Sequence, residues 1–163
     1  MTKAWSINST NLIGRKTNAS LFFSTRNFSI EYYDLEQKIN FQPNTAYRIS
    51  VLYKHNIKQN VIEGGFQKAE LNDLGLEFKF NQLEKGSITG RANFIIISYN
   101  DLENTPIAYE MLNALRVGNN YTWNITYQRN LSNNIQISIN YDGRKSSTSN
   151  VVHIGGAQIR AFF

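Results

Sequence analysis

The sequence predicts an all-β fold, an antiparallel transmembrane β-barrel of about eight strands with one short helix in an extracellular loop. Three observations predict it: apolar and polar residues alternate along most segments, these segments are long, and aromatic residues collect near their ends. Alternation with a period of two gives a strand one apolar and one polar face. Strands that cross a bilayer need about 9–11 residues, whereas soluble strands usually have about 5–6.

The alternation is weak at the N-terminus and most regular at the C-terminus. Near the start, Phe28, Ile30 and Tyr32 share one face, but the phase slips at residues 33–35, which predicts a β-bulge. Further along, residues 95–97 are all Ile and are apolar on both faces, as in a doubly covered strand. The predicted strands cover residues 5–12, 19–25, 28–41, 46–56, 75–81, 87–100, 120–130, 134–145 and 150–163.

The last three predicted strands each present one mainly apolar face. The residues on these faces are Tyr121, Trp123, Ile125 and Tyr127, then Ile135, Ile137, Ile139 and Tyr141, then Gly155, Ala157, Ile159, Ala161 and Phe163. The opposite faces are polar. In a barrel the polar faces line the interior, so we expect the following charged residues to face the lumen: Glu77, Lys79, Arg91, Asp142, Arg144 and Arg160. Asp142 and Arg144 lie two apart on one face and predict an ion pair there.

One segment departs from the strand pattern. Thr105 can cap a helix, Pro106 suits its first position, and Gly118 can end it, so residues 105–118 predict a short amphipathic helix. Its apolar residues Met111, Leu112 and Leu115 have two interpretations, which remain open at this point. They either contact a partner protein or cover the mouth of the barrel.

Three features favour a barrel: the strands are long, the polar faces carry charges of both signs, and aromatic residues form girdles. Closure of the sheet then pairs every backbone group within the lipid. The alternative is a soluble β-sandwich that binds glycans or proteins and turns its apolar faces to a core. The girdles are predicted from Tyr99, Tyr121, Trp123 and Tyr141 near one end and from Phe41, Tyr47, Phe80 and Phe163 near the other.

The loop lengths predict an orientation. If Phe163 lies at the periplasmic end, the short connections at residues 42–45, 84–86 and 131–133 become periplasmic turns. The connections at residues 58–73, 101–119 and 146–150 then become extracellular loops. Short turns inside and longer loops outside are the usual arrangement in outer-membrane barrels.

The C-terminal part resembles a known family of proteins. Residues 26–163, and most closely those after Asn104, are similar to the C-terminal β-barrel region of long, poorly characterised outer-membrane and cell-surface proteins of Bacteroidota. The similarity rests on Met111-Leu112-Asn113-Ala114-Leu115-Arg116-Val117-Gly118-Asn119-Asn120-Tyr121-Thr122-Trp123, Tyr141-Asp142-Gly143-Arg144-Lys145-Ser146 and His153-Ile154-Gly155-Gly156. It implies a bacterial outer-membrane location and a barrel fold, with no established activity.

The chain end also resembles the C-terminal assembly signal of such barrels. There, an aromatic residue preceded by apolar residues at every second position is read by the barrel-assembly machinery, here Ala157, Ile159, Ala161 and Phe163. The implied partners are outer-membrane lipid and this machinery, with other envelope proteins as further candidates. Residues 1–163 predict one domain. The N-terminus lacks the apolar stretch of a signal peptide, so we expect a mature or C-terminal portion of a longer chain.

Composition points away from catalysis and from nucleic acid. The net charge is +5, but the basic residues are scattered and no nucleic-acid partner is expected. There is no cysteine, and His55 and His153, the only histidines, lie in different strands. We therefore predict no enzyme activity, no metal site and no cofactor. The expected role is structural, as a small pore or as a subunit of an envelope complex.

Overall fold

The computed structural model describes residues 4–22, 26–83, 85–147 and 149–162. Within these ranges the chain forms antiparallel strands and one short helix, which confirms the all-β class. The elements are β1 Trp5–Asn18, β2 Phe28–Phe41, β3 Tyr47–Asn60, β4 Lys68–Gln82, β5 Gly86–Tyr99, α1 Pro106–Met111, β6 Gly118–Ser132, β7 Ile135–Ser146 and β8 Val152–Ala161. The predicted strand at residues 19–25 does not form at Ala19–Phe22, which connect β1 to β2, and residues 23–25 lie outside the described ranges.

All eight strands belong to one sheet, in which each strand pairs with its neighbours along the chain. A β-sandwich needs two stacked sheets, so this arrangement differs from the soluble alternative. β1 and β8 are the two edges and are not hydrogen-bonded to each other. The described strands have 10 to 15 residues, within and above the length that a bilayer requires.

The bulge predicted at residues 33–35 is wrong. The β1–β2 register runs without a shift from Asn18↔Phe28 to Trp5↔Phe41, and a shift occurs instead between Asn130 and Ser132 in the β6–β7 pair. The phase slip has another cause. Phe28 is buried against the helix, whereas Phe41, of the opposite parity, lies on the other face of the sheet. The apolar residues of β2 therefore change faces along a regular strand.

The predicted start of the helix is confirmed, and its predicted end is wrong. The Thr105 hydroxyl accepts a hydrogen bond from the Ala108 amide at 3.1 Å, and Pro106 occupies the first turn. The helix ends at Met111 because Asn113 and Ala114 adopt positive φ angles of 54° and 59°, which no helix continues. Gly118, with φ of 92°, begins β6 instead of ending the helix.

The buried core lies at one end of the sheet, beneath α1. Met111 and Leu112 are almost fully buried there. This explains the apolar run in β5, since Ile95 and Ile97 point into the core and Ile96 lies on the other face. The core consists of Phe28, Ile30, Ala69, Leu71, Ile95, Ile97, Ala108, Met111 and Leu112.

Candidate membrane surface and polar face

The sheet has two faces of opposite character. We call the face that packs against α1 the helix face and the opposite one the outer face. Strand alternation and the cross-strand register assign each residue to one of them. The outer face carries large apolar side chains that are exposed along the full width of the sheet: Trp5, Ile7, Ile13, Tyr33, Ile39, Tyr47, Ile49, Val51, Tyr53, Leu74, Leu76, Phe78, Ile96, Tyr121, Ile125, Ile135, Ile139, Tyr141 and Ile159.

This distribution is the reverse of a soluble sheet, which buries its apolar face against a core. Monomeric soluble proteins rarely expose continuous apolar patches beyond a few hundred Å², and larger patches mark membrane or protein contact. The outer face is therefore the candidate interaction surface of the molecule.

Aromatic rings pair on the outer face near the strand ends. Toward the short turns, the ring centres of Trp5 and Phe41 are 4.6 Å apart, and those of Tyr47 and Phe80 are 4.9 Å apart. Nearer the long loops, the centres of Phe94 and Tyr121 are 5.0 Å apart and those of Tyr141 and His153 are 5.9 Å apart. Such separations suit favourable ring contacts.

Tyr99 does not join the girdle, because it has the parity of Ile95 and Ile97 and packs against the core under the helix. Phe163, the terminal residue predicted for the girdle and for the assembly signal, lies outside the described ranges. The other residues of the predicted assembly signal, Ala157, Ile159 and Ala161, share the outer face of β8 and pair with Ile139, Ile137 and Ile135.

On the outer face, two glycines pair with large aromatic residues on the neighbouring strand. Gly143 pairs with Trp123, and a Cβ at Gly143 would overlap the indole ring. Gly90 likewise pairs with Phe78, whose ring would overlap an added Cβ. In both pairs the ring lies flat over the neighbouring strand because the glycine has no side chain.

Replacing Gly143 with valine is expected to displace Trp123 and to lower the free energy of unfolding by about 1–3 kcal/mol, the usual effect of overpacking. The measurement is tryptophan emission and denaturant unfolding in a Trp5→Phe background, which leaves Trp123 as the one remaining tryptophan. Gly156→Val is the matched control, since no atom lies within 4 Å of a Cβ at that position. Equal effects of the two substitutions would contradict the packing account.

The six charged residues predicted to share a polar face all lie on the helix face, as the register places them: Glu77, Lys79, Arg91, Asp142, Arg144 and Arg160. Glu77 is the centre of an ion-pair network. It pairs with Lys38 across the intervening strand β3 and with Arg91 Nη1 at 3.2 Å. Arg91 Nε also donates to Asn93 Oδ1 at 2.8 Å, so the network links β2, β4 and β5.

The predicted ion pair between Asp142 and Arg144 does not form. Asp142 Oδ1 instead accepts a hydrogen bond from Asn124 Nδ2 on the neighbouring strand at 2.7 Å. Residues two apart on one strand are separated along it by almost 7 Å, whereas the cross-strand partner lies closer. Arg160 donates to Gln158 Oε1 at 3.2 Å on the same face.

Buried asparagines extend the polar face toward the helix, and sequence reasoning missed them. Asn93 Nδ2 donates to Asp73 Oδ1 at 2.6 Å, and Asn56 Nδ2 donates to Asp34. Asn120 holds the loop after α1 through a 2.7 Å hydrogen bond to the Arg116 carbonyl. Their alternation with apolar residues was visible in the sequence, but their burial depends on which face α1 covers.

Replacing Glu77 with glutamine is expected to lower the free energy of unfolding by about 1–3 kcal/mol, because Lys38 and Arg91 would lose a charged acceptor in a half-buried setting. Denaturant unfolding measures the change. The control is Glu31→Gln, which removes the exposed Arg15–Glu31 pair. This pair lies on the outer face at the long-loop end of β1 and β2, and its loss is expected to cost less than about 1 kcal/mol. A larger effect at Glu31 than at Glu77 would contradict the assigned importance of the network.

The two histidines have ordinary structural contacts. His55 Nδ1 lies 2.8 Å from Asn72 Oδ1, and His153 Nδ1 lies 2.8 Å from the Tyr141 hydroxyl. Across the described ranges, no group of three or more His, Cys, Asp or Glu residues is arranged to hold a metal ion. No helix of those ranges is long and apolar enough to cross a bilayer.

The apolar residues of the helical segment lie against the sheet. Met111 and Leu112 are buried in the core, and Leu115 packs against it. Met111 and Leu112 are therefore not exposed to a partner protein, and their positions favour the alternative in which the segment covers one end of the sheet. Lys58 Nζ helps to hold this segment by donating to Asn113 Oδ1 at 2.7 Å.

No family model matches the sequence, and neither a curated protein nor a solved structure matches it at a significant level. The described part of the chain is an antiparallel eight-stranded meander with one helix over one end of its polar face.

Proposed function

We propose that this chain is a transmembrane β-barrel of a bacterial outer membrane, with the outer face against lipid and the helix face lining the interior. The observation that carries the proposal is the exposed apolar outer face opposite a polar, ion-paired helix face. Spanning strands of a closed barrel show this pattern, because lipid surrounds the barrel and the interior is polar. Ala157, Ile159, Ala161 and Phe163 would then serve as the assembly signal.

The surroundings of α1 support closure of the sheet. On one side, Glu110 pairs with Lys16 of the edge strand β1. On the other, a cavity is bounded by Tyr109 of the helix and by Val152 of the opposite edge strand β8. A flat sheet of eight strands would be about 33 Å wide, and a helix of six residues is only about 9 Å long. The edge strands β1 and β8 can both lie near so short a helix only if the sheet curls around it.

The interior of such a barrel would be filled. The Lys38–Glu77–Arg91 network crosses the polar face, and α1 with its core covers the end near the long loops. An eight-stranded barrel has an interior just wide enough for its side chains. We therefore propose a structural role or a role as an envelope-complex subunit, and not a wide channel.

Disulfide formation between β1 and β8 tests closure. The chain has no cysteine, so engineered pairs report without background. Ser9→Cys on the outer face of β1 would be combined in turn with Ala157→Cys, Ile159→Cys and Ala161→Cys on β8. A disulfide requires Cα atoms about 4.4–6.8 Å apart, whereas the edges of a flat sheet are separated by about 33 Å.

We expect one of the three outer-face combinations to crosslink efficiently in refolded protein in vesicles. The matched control combines Ser9→Cys with Gln158→Cys, which lies on the helix face and should not crosslink. Absence of any intramolecular disulfide in the three combinations, or an equal yield in the control, would overturn the closed barrel.

A further inference from the structure

A sizeable cavity lies between the loop that carries α1 and the strands β7 and β8. Its volume is about 640 Å³, within the range of about 300–1,000 Å³ that is usual for small-molecule sites. Its lining combines two guanidinium groups, several hydroxyls and a small apolar wall.

The charges in the cavity favour an anion. Arg116 Nη1 lies 3.8 Å from Glu103 Oε2 and 3.3 Å from Asn104 Oδ1, so this guanidinium is held in place and Glu103 is neutralised. Arg144 also lines the cavity, and in the described part of the chain it has neither an ion pair nor a hydrogen bond. An unpaired guanidinium offers donors in a planar fork that matches a carboxylate or a phosphate.

The position of Arg144 is set by the strand on which it lies. It pairs with Thr122 on β6 and Val152 on β8, and Asp142, its nearest carboxylate along the strand, is engaged by Asn124. A second cavity of about 430 Å³ shares Arg144 and Val152 with the first. Arg144 thus stands at the junction of the two cavities, where a ligand in either one can reach it.

The apolar wall indicates a second property of the ligand. Pro106, Tyr109, Leu115 and Val152 line the cavity. Ser146 and Ser149 also line it and add hydroxyl groups. A small inorganic anion would contact the guanidinium groups but would leave the apolar residues of the cavity exposed to water.

We propose that this cavity binds a small amphiphilic anion, whose carboxylate or phosphate group contacts Arg144 and whose apolar part lies against Leu115 and Val152. Arg116, which also lines the cavity, adds a second positive charge. A planar carboxylate and a tetrahedral phosphate share one chemistry, because both carry charged oxygens that accept hydrogen bonds from a guanidinium.

Isothermal titration calorimetry of the full chain in a nonionic detergent tests the proposal with four probes. Phenyl phosphate and benzoate carry both features, inorganic phosphate has only the charge, and benzyl alcohol has only the ring. We expect saturable binding of at least one aromatic anion. Benzyl alcohol and inorganic phosphate should each bind at least about tenfold more weakly, since each loses one set of contacts. The two aromatic anions also distinguish a phosphate headgroup from a carboxylate.

Arg144→Gln should weaken the better aromatic anion by about tenfold or more, the usual effect of losing charge-assisted hydrogen bonds. Arg144 is exposed, so the variant should fold normally, which its unfolding curve checks. Arg160→Gln is the matched control. Arg160 lies on the helix face, like Arg144, but on β8 and outside the lining of both cavities, so this variant should bind the aromatic anion with unchanged affinity. Lack of saturable binding by both aromatic anions, equal binding of inorganic phosphate, or an equal loss in the control would overturn the proposal.

Discussion

Replacing Ile139 with arginine is expected to lower the free energy of unfolding of the protein in a bilayer by about 2–4 kcal/mol. Ile139 lies on the outer face near the middle of β7 and is 45% exposed in the isolated chain. In water an exposed position tolerates arginine within about 0.5 kcal/mol. In the middle of a membrane the same guanidinium would lie against hydrocarbon, which is where the large cost arises. Denaturant unfolding in phosphatidylcholine vesicles measures the difference.

The neighbouring residue supplies the control. Asn140 is also exposed but has the opposite parity, so Asn140→Arg places the same charge on the helix face of the same strand. We expect that substitution to cost less than about 1 kcal/mol, since polar substitutions inside a barrel mainly alter its interior. Equal costs at the two positions would show that the faces of β7 do not differ in their surroundings.

Replacing Met111 with alanine is expected to lower the free energy of unfolding by about 2–5 kcal/mol. Met111 is fully buried between α1 and the sheet, so its removal costs the transfer free energy and leaves a cavity. The loop with α1 should also become more accessible to protease. Both effects are measured on the full chain by denaturant unfolding and limited proteolysis.

Leu102→Ala in the same loop is the control for Met111, because Leu102 is 74% exposed. It should change the free energy of unfolding by no more than about 0.5 kcal/mol. A small effect at Met111 would mean that α1 does not contribute to the core and that the covered end of the sheet opens freely.

The strands could be predicted well where alternation is uninterrupted. β6, β7 and β8 each keep one apolar face over most of their length, so their faces followed from a period of two. The faces of β2 could not be predicted in this way, because its apolar residues lie on the helix face near Phe28 and on the outer face near Phe41. That change reflects the position of α1, which is distant in sequence, and alternation within one strand carries no information about it.

Side-chain partners were harder to predict than faces. Glu77 and Arg91 were expected on the polar face, but Lys38 as the partner of Glu77 depends on β2 lying two strands from β4. Asp142 and Arg144 were expected to pair because they are close in sequence, yet the cross-strand neighbour Asn124 engages the carboxylate. Tyr99 was assigned to a girdle from its place near a strand end, whereas its parity turns it toward the core.

The helix also shows that local features can be predicted from sequence whereas contacts with distant residues cannot. The cap at Thr105 and the proline at its start are local features, and they specified where the helix begins. Its end at Met111 is specified by contacts beyond the segment. Asn113 accepts a hydrogen bond from Lys58 on β3, and Met111 and Leu112 are already placed in the core when the chain turns away.

If the outer face contacts lipid, the refolded chain needs an amphiphile. The chain would be refolded with and without detergent and examined by sedimentation and circular dichroism. We expect a folded, monodisperse β-sheet protein only in detergent or vesicles, and aggregation in plain buffer, because the outer face exposes large apolar side chains from β1 to β8. A folded, monodisperse monomer in plain buffer would contradict this expectation.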